Sequence, residues 1–446
     1  MWRRLPLALA AGLVLADSSI VTLALPEILR ELDTTVAEVA WVLVSFNIAL
    51  AVFAIPGAML ARRRPDVVLV IGIALFAAAC LVCATADALG PLIGGRVAQG
   101  VAGAAVVAAA LELLLRHDPE HGLGTWATAG VLGAAVGPAA GGVLTDVLSW
   151  EAMFALQVPV ALAALPGALR APPAVAQRGP HTERRAGLAA LAALALASAA
   201  LAAALFLLVS MVIEGWRHSP AQAAAIVTVM PVSALVAPLL ARAVGAADAV
   251  PRAAAGAILL AGGLAALGLL PSASPAWTIA PQVLVGLGLG LLLTGLTRVA
   301  VPHGATASRD ASFTIAARHA GVVAGLLLLT PVFTHDLDAQ ELPTERAAIS
   351  ELLDAPLPLA VKVRLTRGLA DVVENTDGRL PDLGPAFAKA DAGPGRAAAV
   401  RELSAEMEDE LDRAGTEAFS TSFLVAAGFA LLALVPIALL PRRAGA

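Results

Sequence analysis

The sequence predicts an all-α membrane protein of twelve transmembrane helices in two six-helix bundles, with an extracytoplasmic insertion before the last helix. Three observations predict it. Hydrophobic residues make up 59% of the 446 positions and charged residues only 14%, against roughly 45–50% and 25% in soluble domains, so a soluble core cannot absorb the apolar sequence. Apolar windows of about twenty residues, the length that crosses a hydrocarbon layer of about 30 Å, recur along the chain. Arginines gather in the loops on one side of those windows.

The spans fall near 5–26, 37–60, 66–86, 91–115, 122–146, 150–169, 186–213, 219–241, 252–271, 276–298, 311–334 and 418–440. Arg3 and Arg4 precede the first, as in a signal peptide, but its apolar run is too long and no small-residue cleavage site closes it, so a retained helix is expected. The third span holds both cysteines, Cys80 and Cys83. Without a second pair or histidines at ligand spacing they are expected to be packing residues, and no metal is expected. The fifth carries Gly133-Ala-Ala-Val-Gly137-Pro138-Ala-Ala-Gly141-Gly142. Glycines four apart clear one helix face for close approach, and Pro138 removes a helical hydrogen bond and bends the axis. Either a static packing face or a moving interface satisfies that pattern.

The short loops on the side shared by the termini contain Arg62, Arg63, Arg64, Arg116, Arg242 and Arg298, whereas the opposite loops hold Arg30 and Arg217. Both termini are therefore expected in the cytoplasm of a cell bounded by this membrane, the inner membrane where there are two. The expected divisions are a first bundle over 1–169, a cytoplasmic linker over 170–185, spans seven to eleven over 186–334, an acidic insertion over 335–417, and the last helix with its tail over 418–446. The insertion carries eighteen acidic and nine basic side chains, a net of −9 that leaves +4 on the rest of the chain. Apolar spacing of three and four residues over Glu345–Leu353 and Arg396–Leu411 predicts short amphipathic helices there, with turns near Pro381–Pro385 and Gly393–Gly395. A solvated cap or a docking site for an extracytoplasmic partner fits this composition.

Charges inside the spans are the candidates for chemistry, because a charge near the bilayer centre costs at least about 2.5 kcal/mol. Asp17 lies midway along the first span, where a poorly solvated carboxylate could bind and release a proton or lock helices together by hydrogen bonds. Arg96, a turn and a half inside the fourth span, could pair with that carboxylate in one conformation only, or snorkel to the interface. Glu112 stands four residues before Arg116, the spacing of an interfacial ion pair. The eleventh span has Arg318 and His319. The histidine could transfer protons near neutral pH or simply pack, and spans seven to ten and twelve have no interior carboxylate. Gly286-Leu-Gly288-Leu-Gly290 lies within a span, with no preceding strand and no Walker lysine, so ATP-driven transport is not expected. Trp41, Phe46, Asn47, Phe53, Trp126 and Gln157 are candidates to line an apolar cargo cavity. Trp150 and Trp216 fit interfacial belt positions better, and the chain has no tyrosine.

Several motifs occur in one order: Ala16-Asp17-Ser18-Ser19-Ile20-Val21 followed by Ala24-Leu25-Pro26; Arg96 with Gln99-Gly100; the glycine-proline run; Ser149-Trp150 with Phe154, Val158 and Pro159; and Arg318 with Gly321 and Gly325. Together they resemble the drug/proton antiporters of the major facilitator superfamily, nearest the branch usually built from fourteen helices. The resemblance implies the major facilitator fold, makes the glycine-proline run the antiporter signature of the fifth helix, and gives Arg96 a part in proton coupling. This chain departs from that branch in having twelve spans and the acidic insertion. Its loop Gly57-Ala58-Met59-Leu60-Ala61-Arg62-Arg63-Arg64-Pro65-Asp66 keeps the first glycine and an arginine but has Ala61 where the family places an aspartate. Asp66 is expected as the N-cap of the next helix.

The expected function is proton-coupled export of small apolar or amphipathic compounds, as in multidrug or antibiotic efflux, by alternating access, without catalysis. Asp17, Arg96, Glu112 and His319 would serve coupling. Gly57, Arg62, Gly133, Gly137, Pro138, Gly141, Gly142 and Arg318 would serve conformational switching. Its partners would be cargo, protons and the bilayer, with no nucleic acid and no cofactor beyond the proton gradient. Export of a lipid or an endogenous metabolite, or a non-transporting assembly role carried by the acidic segment, are the alternatives. The topology gives a direct test: Ala392→Cys, combined with Cys80→Ala and Cys83→Ala, should react with an impermeant maleimide in intact cells. Labelling only after lysis would invert the orientation.

Overall fold

The computed structural model describes residues 4–168, 184–244, 248–301, 307–374, 383–388 and 397–441. Most of the expected linker, and the turns near 381–382 and 391–396, lie outside the described residues. Among the described residues, twelve helices are long and apolar enough to cross a membrane. They are α1 (Arg4–Thr22), α2 (Val36–Arg63), α3 (Pro65–Ala84), α4 (Leu89–His117), α5 (Gly122–Val147), α6 (Trp150–Ala168), α7 (Gly187–Gly215), α8 (Pro220–Ala243), α9 (Ala249–Gly268), α10 (Pro275–Ala300), α11 (Ala307–Asp336) and α12, the apolar end (420–438) of a candidate span that begins at Ala398.

Local chemistry sets the helix starts. Thr35 and Glu38 exchange hydrogen bonds in a capping box that opens α2, and Ser219 with Gln222 does the same for α8. Ser149 Oγ accepts from Ala152 N–H at 3.2 Å to open α6. At α3 the expectation for Asp66 is corrected. Arg64 occupies the N-cap with no side-chain cap bond, Pro65 stands in the first turn, and Asp66 pairs with Arg64 at 3.7 Å. Proline suits the first helical turn because its missing N–H has no partner there anyway.

Within the first half α5 lies on α1 through the predicted small face. A Cβ at Gly133 would meet the Gly12 carbonyl, one at Gly141 the Ile20 carbonyl, and one at Gly137 the Ser19 hydroxyl, with the Ala16 carbonyl at 3.1 Å. The run therefore packs on the helix that carries Asp17. Gly142 turns to the other half, where a Cβ would stand 2.5 Å from both the Pro220 carbonyl and the Ala224 methyl of α8. In the second half Gly321 and Gly325 bring α11 against the Ala195 and Ala199 carbonyls of α7. The glycines of Gly286–Gly290 seat α10 against α8 and α9.

The halves meet where α2 lies along α11 and α5 along α8. A further link joins the short helix Leu25–Glu31, after α1, to the π-helical turn Met211–Gly215 that ends α7: Arg30 Nε stands 3.8 Å from Glu214 Oε1. The opposite, arginine-rich side is tied within the first half. Asp118, between α4 and α5, accepts from the His121 N–H and pairs with Arg4 at 2.6 Å. Those contacts, the backbone bond first, hold its carboxyl below the usual aspartate range.

The insertion is helical, and it begins without a break. α11 continues as one 48-residue helix, Ala307–Asp354, where the sequence predicts a span ending at 334. Leu359–Glu374, Gly384–Ala388 and Ala397–Ala418 follow, the first two unanticipated, the second beginning inside the turn expected at Pro381–Pro385. Leu365, Leu403, Met407, Phe387 and Leu411 bury together in a small core separate from that of the membrane helices. This cap is fastened to the end of α7: Trp216 Nε1 donates to Thr416 Oγ1 at 2.9 Å, and Arg217 pairs with Asp412 at 2.8 Å. Trp216 is thus buried rather than in an interfacial belt. So is Trp150, whose Nε1 donates to Glu31 Oε2 at 2.6 Å.

Because Gly137 abuts Ser19 and the Ala16 carbonyl, Gly137→Leu should overpack the α1–α5 contact, a change that typically costs about 1–3 kcal/mol. The expected outcome is protein that still inserts, melts earlier in detergent and loses transport by more than its expression falls. Unchanged melting and transport would make the contact loose.

Candidate functional site

Asp17 and Arg96 meet in the interior of the first half, both side chains fully buried. Arg96 Nη1 donates to Asp17 Oδ2 at 2.5 Å and to Gln99 Oε1 at 2.8 Å, while its Nε donates to the Val42 carbonyl of α2 at 3.0 Å. The guanidinium stands 4.3 Å from the Phe46 ring centroid and 5.8 Å from that of Phe154, so ring faces supply part of the solvation that water would give it. Arg96 does not snorkel. Asp17 Oδ1 and Arg96 Nη2 have no hydrogen-bond partner. The pair is held through one prong of the fork, weaker than the two parallel bonds a guanidinium and carboxylate can make.

Gln99 extends this centre to α3. Its Nε2 lies 3.0 Å from Cys80 Sγ, and Cys83 Sγ lies 3.4 Å from its Oε1. The two cysteines expected only to pack therefore also hold the amide that holds the arginine. Sequence spacing carried a trace of this: Arg96 and Gln99 sit three apart on one helix face, as do Cys80 and Cys83.

A second polar chain starts one residue along. Asn47, fully buried on α2, donates from Nδ2 to the Leu43 carbonyl at 2.8 Å and to Ser18 Oγ at 3.2 Å. Its Oδ1 accepts from His319 Nδ1 at 2.6 Å, which places the ring proton on Nδ1 in this arrangement. The histidine of α11 is thereby connected across the boundary between halves to the residue after Asp17.

The other residues singled out in the sequence are dispersed. Glu112 pairs with Arg116 at 3.2 Å, sixteen positions and about 24 Å along α4 from Arg96. Arg116 also donates to the Arg62 carbonyl at 2.9 Å, while the Arg62 side chain is exposed. Gly57 of the same loop motif faces the Ala104 carbonyl of α4, 3.1 Å from where a Cβ would stand. Of the six cavity candidates, Phe46 and Asn47 belong to the buried centre. Trp126 is buried with its Nε1 donating to the Val107 carbonyl at 3.2 Å. Gln157 is buried with neither side-chain polar atom bonded, and Trp41 and Phe53 are exposed on α2, at 44% and 42%. The six do not line one wall. Arg318 lies beside His319 on α11, its Nε buried without a partner.

The chain is similar to known proteins. The model of the Major Facilitator Superfamily matches residues 7–329. The tetracenomycin C resistance and export protein of Streptomyces glaucescens is 36% identical over 168 residues, which cover 36% of this chain and 31% of that protein. The multidrug resistance protein Stp of Mycobacterium tuberculosis is 32% identical over 157 residues, 33% of this chain and 29% of Stp. The chain thus spans about a third of the length of the curated relatives it matches. A bacterial homologue of the human lysosomal transporter Spinster, solved inward-facing and unoccupied, superposes with a TM-score of 0.66 at 16% identity, covering 100% of this chain and 98% of its own.

Removing one member of a buried ion pair strands the other charge, typically at a cost of about 3–5 kcal/mol. Arg96→Gln alone should therefore lower the melting temperature sharply, whereas Arg96→Gln with Asp17→Asn should recover much of the loss. A double variant no more stable than the single one would show that the two charges do not compensate each other.

Proposed function

This chain belongs to the Major Facilitator Superfamily, and we propose that it is a proton-coupled exporter of small apolar or amphipathic compounds, with Asp17 as proton carrier and Arg96 as its conformation-dependent partner. The observation that carries the reading is the buried, single-pronged Asp17–Arg96 pair on the helix against which the glycine-proline face of α5 packs. A relative movement of α1 and α5 displaces the carboxylate from a guanidinium that is fixed independently, by the Val42 carbonyl and Gln99. Once separated from Arg96, an ionised Asp17 is an uncompensated charge in a low-dielectric interior, and taking up a proton removes that cost. Restoring the pair expels the proton. Coupling follows if separation and restoration occur with the cleft open to opposite sides.

The contact between halves supports alternating access. Arg30–Glu214 and the Gly142–Pro220 contact join the halves on the cap side. On the arginine-rich side the bonds of Arg4, Arg62 and Arg116 stay within the first half. This is the arrangement expected of a cleft closed at the cap end. With the termini cytoplasmic, the orientation the arginine asymmetry supports, it faces inward in the cell membrane. The bridge from Ser18 through Asn47 to His319 then relays a change at α1 to the second half. Multidrug resistance in one relative and tetracenomycin C resistance and export in another support the cargo class, and the lack of interior carboxylates in α7 to α10 and α12 supports a coupling site confined to the first half.

Asp17→Asn tests the carrier role, since asparagine keeps size and hydrogen bonding but cannot exchange a proton. In reconstituted vesicles the variant should bind a lipophilic dye with near wild-type affinity and lose nearly all export driven by a pH gradient. Near-normal gradient-driven export would remove Asp17 from the coupling step.

A further inference from the structure

The positive charges of this interior are not matched one for one. Asp17 is taken by Arg96 and Glu112 by Arg116, and α7 to α10 and α12 offer no interior carboxylate. Arg318 is left over. It makes no ion pair and no hydrogen bond among the described residues, and its Nε is buried without a partner, while the residue as a whole stays partly open. It stands eleven positions into α11, about 17 Å along the axis, too deep for its head to reach an interface. Asp310, the acidic residue of the same helix before it, is eight positions away, about 12 Å.

The direction of the side chain follows from its neighbours at about 100° per residue. Ala320, Ala324, Leu327, Leu328 and Pro331 form the exposed face of α11, and Arg318 is roughly 135° around from the middle of it. Gly321 and Gly325 mark the side packed on α7, and His319 the side bonded to Asn47 of α2. Arg318 lies between those two sides, so it is directed away from the exposed face and inward, between the neighbour α7 of its own half and the neighbour α2 of the other.

The geometry points to Arg318 as the anion-binding arm of the cargo cleft, taking the carboxylate of an amphipathic organic acid whose apolar body rests on the surrounding aliphatic surface. The inference deepens the exporter reading and rests on it. An uncompensated guanidinium at mid-depth is costly, and a planar carboxylate is the ligand whose geometry its fork matches. A mobile anion supplies in the loaded state the counter-charge that the protein does not provide. The site is separate from the Asp17–Arg96 pair, so a bound carboxylate does not compete for the coupling arginine.

Equilibrium dialysis of the purified full chain in phosphatidylcholine nanodiscs tests this with three probes of similar shape: 2-naphthoate, 2-naphthamide and 2-naphthylmethylammonium. Wild type should bind the carboxylate about tenfold or more tighter than the amide, the scale of one charge-assisted contact, and the ammonium weakest. Arg318→Gln should bring carboxylate and amide to within about threefold while leaving amide affinity unchanged, and Arg318→Lys should keep part of the preference. Unchanged amide binding shows that the variant is folded. Adding phosphatidylglycerol separates two sources of the same chemistry: competition present in wild type and lost in Arg318→Gln assigns a lipid headgroup, and no competition assigns a soluble acid. A wild type that does not prefer the carboxylate, or an Arg318→Gln protein that keeps the full preference, overturns the inference. Because these are binding measurements without a gradient, either result leaves the exporter reading to be judged separately by gradient-driven dye export.

Discussion

The buried pair of Asp17 and Arg96 is the constraint around which the first half is organised. Two opposite charges without water are tolerable only while they face each other, and the attraction offsets their desolvation only when geometry and remaining hydrogen bonds are good. The neighbourhood supplies those bonds unevenly. Arg96 is fixed by a backbone carbonyl of α2, by Gln99 and by the faces of Phe46 and Phe154, whereas Asp17 depends on Arg96 and keeps one oxygen unbonded. The arginine is thus part of the scaffold, and the carboxylate is the member with fewer bonds to break when it moves. The glycine face of α5 carries the same asymmetry into the packing, because it lets α1 lie against a neighbour with few side chains to interlock.

The membrane part of this fold was legible because hydropathy and helix length measure the same thing there: twelve apolar runs became twelve helices. The close-packing face of α5 was equally readable, and the pairing of Asp17 with Arg96 was one of two arrangements the sequence left open. Small residues four apart let backbones touch, and a charge in an apolar run faces a partner or a cavity. What hydropathy could not show was a helix that continues after its apolar stretch ends. α11 passes from lipid-compatible to acidic sequence with no break in its backbone, and the window stops where the composition changes, not where the helix does. Long-range partners were also hidden. His319 and Asn47 are 272 positions apart, and nothing local to either names the other. Cys80 and Cys83 read as packing because their polar role depends on an amide from another helix. Trp150 and Trp216 were misplaced because an indole that caps a carboxylate or a hydroxyl has the same sequence context as one in an interfacial belt.

The two halves divide labour in a way their compositions foreshadow. The first contains the buried charge pair and the polar residues that orient it. In the second, backbone-close glycine contacts join α10 to α8 and α9 and α11 to α7, and His319 of α11 faces the boundary with the first half. Rotation of one half as a body leaves its internal contacts intact and has to break only bonds between the halves, such as Arg30–Glu214 and Asn47–His319.

The unbroken passage of α11 into the cap makes the cap a mechanical pointer for the membrane helix beneath it. Eighteen residues of helix beyond Asp336 form a rigid arm of about 27 Å. A tilt of α11 by about 10° therefore sweeps the far end sideways by about 5 Å. The cap's other attachments, through Trp216 and Arg217 at the end of α7 and through the helix Ala397–Ala418 that leads into α12, lie on different helices of the same half. Rigid rotation of the second half carries these attachments together and leaves the cap undistorted, whereas α11 moving against α7 must shear the small core around Leu365 and Met407. The insertion thus resists relative motion inside its own half while permitting motion of that half as a whole, much as a brace between two legs of a tripod lets the tripod tip but not splay.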